Sequence, residues 1–228
     1  MKETEKLSRV LGPHRFSMVG LLIALALLFF FFPFVEEIKG GELIVAVLLT
    51  LVLISAVIAV ASRRSTLVVA LLLAIPAVGG RWINHFWPGL LPPAVFLVAT
   101  LALIAFVVAH LLYFVLSAPR VDAEVLCASI SAYVMLGLIW TIAYWLVDLV
   151  TPHAFAFNTN TGDQAMNGFN AFYFSFVTLS TVGYGDITPV SHVARTLAAL
   201  EAMTGLLYVA VLIARLVALY STPKSPDS

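Results

Sequence analysis

A chain of 228 residues that is 62% hydrophobic and only 11% charged falls far below the roughly 25% charged residues of an ordinary soluble domain. Its 12 basic and 12 acidic residues balance, and its mean hydropathy is +1.05, so the composition is that of an integral membrane protein with the lipid bilayer, not nucleic acid, as its partner. A single cysteine, Cys127, stands in an apolar run; it rules out an intrachain disulfide framework and reads as a small buried apolar residue.

Met1–Arg15 carries Lys2, Lys6, Arg9 and Arg15 and reads as a short cytoplasmic tail. The next run, Phe16–Val35, exceeds the roughly 7–15-residue core of a cleaved signal peptide and ends in Phe29-Phe30-Phe31-Phe32-Pro33, so it is a first span. Glu42–Ala61, Thr66–Val78 (continuing to Trp82) and Ala94–Leu116 follow, each near the roughly 20 residues that cross the hydrocarbon core. Val125–Val150 is a fifth span and Val193–Tyr220 a sixth. With the N-terminus inside, Lys2, Lys6, Arg9, Arg15, Arg63, Arg64, Arg120, Arg215 and Lys224 all fall on the cytoplasmic side, and only Lys39, Arg81 and Arg195 fall outside. Trp82, Trp87, Trp140 and Trp145 are expected near the outer interface.

The fourth span contains no Arg or Lys, whereas voltage sensing moves basic side chains through the field at about 2.3 kcal/mol per charge per 100 mV. It is therefore not a conventional voltage sensor. His110 is its one titratable group and is expected to be hydrogen-bonded, and Arg63 and Arg64 read as topology anchors. A charged elbow, Arg120-Val-Asp122-Ala-Glu124, opens the fifth span. Thr151–Asn167 is polar and reads as an extracellular loop, with Asn158, Asn160 and Pro152 in it; Asn167 or Asn170 is a candidate helix cap. His153 and His192 near that mouth read as inert.

Asn170–Ser180 is too short to cross a membrane but long enough for a half-crossing helix, and Asp186-Ile-Thr-Pro189 leads into the sixth span. Between them lies Thr178-Leu-Ser-Thr-Val-Gly-Tyr-Gly-Asp186. A potassium ion in a bilayer must exchange its water shell for oxygen dipoles, which a ribbon with all its carbonyls on one side supplies. Turning successive carbonyls one way needs backbone angles that Cβ-bearing residues resist, which accounts for Gly183 and Gly185. Val182 and Tyr184 are expected to point away from the ion path.

Asn170–Pro189, with Thr181-Val-Gly-Tyr-Gly185 at its centre, resembles the pore segment of tetrameric potassium channels, especially prokaryotic ones with a two-helix pore module. The resemblance implies that K+, the permeant ion, binds at the carbonyls of Thr181, Val182, Gly183 and Tyr184 and at the Thr181 hydroxyl. It also implies a homotetramer in a prokaryotic plasma membrane with both termini cytoplasmic. Many relatives brace the aspartate after the filter with a pore-helix Trp or Glu; this chain carries Tyr173, Phe174 and Val177 there, so the Tyr173 hydroxyl is the candidate brace for Asp186. Gly205 lies where relatives carry a hinge glycine, with close packing as the competing explanation. Below it, Leu206, Val209, Ile213 and Val217 recur at helical spacing and are the candidate apolar gate. Glu201, one turn above Gly205 at membrane depth, is a candidate support for the filter through Thr178 or Ser180, with a purely structural bond as the competing and slightly favoured explanation.

One chain carries one such segment, and one strand of carbonyls cannot surround an ion, so the working unit needs four copies. The expectation is an all-α membrane protein with residues 1–120 a four-span module and 121–228 a pore domain that conducts K+ selectively. The alternatives are a poorly selective cation channel and a non-conducting regulatory subunit. No metal-ligand cluster, phosphate loop or nucleophile–base pair suggests an enzyme or a cofactor, and eight residues after Tyr220 leave no room for a ligand-gating domain, so a gating partner stays open.

Overall fold

The structure is a computed structural model and describes residues 14–36, 38, 40–61, 64–158 and 164–220. Lys2, Lys6, Arg9, Lys39, Arg63, Asn160 and Lys224 lie outside the described residues, and of Arg15 only the backbone is described. In chain order the elements are α1 (His14–Glu36), α2 (Gly41–Val60), α3 (Arg64–Phe86), α4 (Pro93–Ser117), α5 (Ala123–Val150), β1 (Phe155–Phe157), α6 (Gly168–Leu179), β2 (Ile187–Pro189) and α7 (His192–Tyr220). All these helices except α6 are long and apolar enough to cross a membrane. At 12 residues α6 is not. The described residues are helical apart from the β1–β2 ribbon, whose first strand falls in the expected loop Thr151–Asn167 and whose second falls in the expected lead into the sixth span, a correction to the all-α expectation.

The chain forms two compact units. The first runs through Val115 and takes in Ala123–Ala132. Here α1 packs along α2 and α2 along α3. On α1 the buried residues Leu21, Leu25 and Leu28 recur at helical spacing, while Ile23 and Phe30 on the other face are exposed, as suits a lipid environment. α3 runs through its expected end at Trp82 to Phe86. The helix passes through Gly79-Gly80, and a Cβ at Gly80 would overlap Phe96 of α4. The glycine is there for close helix approach. Trp82, expected at the interface, donates its indole N–H to Thr50 Oγ1 at 3.1 Å. On α4, His110 Nδ1 pairs with the Phe106 carbonyl at 2.9 Å. Cys127 is half-buried.

The second unit comprises Leu116–Asp122 and the chain from Tyr133 onward. Its core gathers Tyr144 and Val147 of α5, Phe155 of β1, Ala171 and Phe174 of α6, Ile187 of β2 and Ala194 of α7, with Trp140 half-buried against them. Tyr144, Phe155 and Phe174 meet edge to face in a closed triangle, with centroid separations of 4.9, 5.6 and 5.7 Å. A Cβ at Gly137 would overlap the Phe176 ring, so the glycine seats α6 on α5. Ser191 caps α7, its hydroxyl accepting the Ala194 N–H at 3.1 Å.

Candidate functional site

The Thr181–Gly185 segment leaves the C-terminal end of α6, and its backbone is unusual. φ is positive at Thr181 (60°), Gly183 (57°) and Gly185 (78°), but not at Val182 or Tyr184. Such alternation of hand rotates successive peptide units so that their carbonyls face one side and their N–H groups the other. The hydrogen bonds follow that division. Thr181 N–H donates to the Thr178 carbonyl at 2.9 Å, and the Val182 and Gly183 N–H groups both donate to the Val177 carbonyl, at 3.0 and 3.3 Å. The N–H groups of residues 181–183 are thus consumed by the end of α6. Glycine adopts positive φ freely, but at Thr181 it costs about 1–2 kcal/mol. Sequence reasoning misses that strain, because threonine does not advertise it.

Beyond the segment the chain is fastened at several points. Tyr173 Oη donates to Asp186 Oδ2 at 2.7 Å, and Asp186 Oδ1 accepts the Ile187 N–H at 3.0 Å. Desolvation, then the hydrogen bond and charge of Asp186, push the Tyr173 phenol up to about 12, so it remains a donor at neutral pH. The Tyr173 and Tyr184 rings lie parallel, 6.5 Å apart. β1 pairs antiparallel with β2 in the register Phe155↔Pro189, Ala156↔Thr188 and Phe157↔Ile187. That ribbon delivers Asn158, a residue sequence reasoning names only as loop, to the end of the segment. Its backbone N–H donates to the Asp186 carbonyl at 2.7 Å and its side-chain amide to the Gly185 carbonyl at 2.6 Å. Neither candidate cap of α6 acts as one: Asn167 stands at the N-cap without a side-chain bond, and the Asn170 amide donates to the Ala165 carbonyl instead.

Behind the segment lies Glu201 of α7, fully buried. Its partners are not the expected Thr178 or Ser180. Tyr144 of α5 donates to Oε2, and Ser175 of α6 lies 2.6 Å from Oε1. Both partners are buried, and neither is near Glu201 in sequence, which is why the pattern does not show them. One turn below, Gly205 is buried, and a Cβ there would overlap the Leu179 carbonyl oxygen. α7 and the last turn of α6 therefore meet backbone to backbone. Leu206, Val209, Ile213 and Val217 are exposed and lie about a quarter turn round the helix from Gly205. Near the end of α7, the Arg215 guanidinium donates to the Ala118 carbonyl at 2.8 Å.

Comparison with known proteins bears on this half of the chain. Residues 131–222 match the Ion_trans_2 family, described as an ion channel. A stretch of 54 residues, 24% of this chain, is 41% identical to the inward rectifier potassium channel Kirbac3.1 of Paramagnetospirillum magnetotacticum and covers 18% of it. Two-pore potassium channel 4 of Arabidopsis thaliana is 34% identical over 83 residues, 36% of this chain and 29% of the relative. Two pore potassium channel b of Oryza sativa subsp. japonica is 33% identical over 84 residues, 37% and 21% respectively. The chain thus spans less than a third of the length of these curated relatives. No solved structure matches it. Residues 131–222 thus resemble an ion-channel domain, and the six long apolar helices among the described residues make the chain an integral membrane protein.

Proposed function

We propose that this chain is one subunit of a homotetrameric, potassium-selective channel, with Thr181–Gly185 as its filter and α6 as a re-entrant pore helix between the outer helix α5 and the inner helix α7. The observation that carries the reading is the division of the Thr181–Gly185 backbone. φ is positive at every second residue, and the N–H groups of residues 181–183 are tied to α6. Carbonyls released in this way are the groups that can replace water around K+ when four copies meet on an axis. The C-terminal end of α6 points its partial negative charge toward the same region, which favours a cation at membrane depth. Two side chains of the segment support the assembly: Val182 is 54% and Tyr184 72% exposed in one chain, and neighbouring copies would cover them.

In this reading Asp186 is held by Tyr173, and the chain's termini lie on the cytoplasmic side, as the placement of Arg64, Arg120 and Arg215 favours. The missing charges of α4 set it apart from voltage-gated relatives.

Purified protein in liposomes, with K+ and Na+ flux measured in parallel, is the test. Uptake of K+ that excludes Na+ is the expected result. Equal flux of both ions would make the protein a poorly selective cation channel, and silence would make it a non-conducting subunit.

A further inference from the structure

The Glu201 carboxyl is a buried group that the conduction path does not touch. Its surroundings can be read by counting protons. Close oxygen–oxygen contacts join four groups: Tyr144 Oη with Glu201 Oε2, Glu201 Oε1 with Ser175 Oγ at 2.6 Å, and Ser175 Oγ with the Gly137 carbonyl of α5 at 2.7 Å. Each contact needs one proton. A backbone carbonyl has none to give, so the single Ser175 proton is committed to Gly137. The Tyr144 proton is committed to Oε2. Thr141 also donates to the Gly137 carbonyl at 2.9 Å, but it brings its own proton and leaves the count unchanged.

The contact between Ser175 Oγ and Glu201 Oε1 then lacks a proton unless the carboxyl supplies it. Were Glu201 ionised, one of the two Ser175 contacts would press two acceptor oxygens together at 2.6 or 2.7 Å, in a site sealed from water. A neutral acid puts one proton in every contact.

From this count we propose that Glu201 is held as a neutral carboxylic acid, donating through Oε1 to Ser175 and accepting at Oε2 from Tyr144. It is a positioning residue that ties α5, α6 and α7 together behind the Thr181–Gly185 segment. The bonding state stands on the geometry alone; that the tie keeps the filter in shape rests on the channel reading above.

The test uses the full chain in liposomes at neutral pH. Infrared difference spectra of wild type against Glu201→Gln are expected to show a protonated-carboxyl stretch in the wild type that the variant lacks. Glutamine mimics the neutral acid, since Nε2 can donate to Ser175 while Oε1 accepts from Tyr144. Glu201→Gln is therefore expected to keep the wild-type melting temperature and K+ selectivity, whereas Glu201→Ala lowers the first and loses the second. A carboxylate band in the wild type that Glu201→Gln removes would overturn the proposal. So would a Glu201→Gln protein as damaged as Glu201→Ala. If the wild type carries no K+ at all, yet shows the acid band and melts like Glu201→Gln, the channel reading fails and the tie survives.

Discussion

The outer and inner halves of α7, so named for the topology proposed above and divided at Gly205, are built from similar apolar sequence, yet they are held in different ways. In the outer half, Ala194, Glu201 and Gly205 fall on one face and are buried by the same chain: Ala194 joins the core around Phe155 and Phe174, Glu201 bonds Tyr144 and Ser175, and Gly205 abuts Leu179. Below Gly205 no described residue of α7 is fully buried, and Leu206, Val209, Ile213 and Val217 are between 42% and 66% exposed. The difference teaches what each half depends on. The outer half is positioned by a single chain, through directional bonds and aromatic packing. The inner half presents apolar surface that, in the proposed assembly, other copies, the lumen or lipid would cover. The buried carboxyl and the backbone contact at Gly205 belong to the first; the second is tied near its end, by Arg215 to the Ala118 carbonyl, and wetting bears on its apolar face.

The largest effect is expected in the Thr181–Gly185 segment, where the backbone strain lies. At Gly183 nothing stands near the place a Cβ would occupy, so Gly183→Ala acts on the backbone alone. Holding alanine at φ 57° costs about 1–2 kcal/mol in the chain. Selective K+ flux in liposomes should be lost. If Gly183→Ala stays selective, the alternating backbone is not what the function needs. Next comes the seam between the halves. Gly205→Ala drives a methyl into the Leu179 carbonyl, a rigid backbone atom, and should lower stability by about 1–3 kcal/mol in a thermal melt in detergent. A variant that melts normally and alters only channel opening would make Gly205 a hinge rather than a packing glycine.

How much of this is legible in the sequence depends on how local each cause is. The spans are legible because apolar length is a local property, whereas the close approach that Gly80 allows to Phe96 is not. That Tyr173 reaches Asp186 is legible too, since both flank one short motif whose geometry restricts their partners. The β1–β2 ribbon is not. Each strand has three residues, too few to show alternation, and its partner lies beyond α6. Asn158 stays hidden with it. Glu201 announces itself as an ionisable group in an apolar helix, but Tyr144 is 57 residues away and Ser175 26, and only the packed helices choose them.

A smaller effect tests the outer fastening. Tyr173→Phe keeps the ring that lies alongside Tyr184 and removes only the hydroxyl, leaving Asp186 with the Ile187 N–H. A hydrogen bond to a charged group contributes about 1.5 kcal/mol, so roughly tenfold faster loss of conductance during sustained activity is expected. Unchanged conductance and inactivation in planar bilayers would reduce Tyr173 to aromatic packing.

The smallest effect on stability, and the most telling for the inner half, is expected at Ile213. The side chain is 55% exposed, so Ile213→Ser gives up little packing within its own chain, and the melting free energy should move by no more than about 0.5 kcal/mol. What the hydroxyl changes depends on what covers the position. Facing a lumen, it wets an apolar constriction, and resting K+ leak into liposomes should rise while the melt stays put. Facing lipid, it leaves a polar group in hydrocarbon with no gain in flux. Packed against another helix, it opens a gap that a melt of the assembled protein would register. A raised leak at unchanged stability assigns the Leu206–Val217 face to the pore, because of these three coverings only water at an apolar gate separates flux from folding.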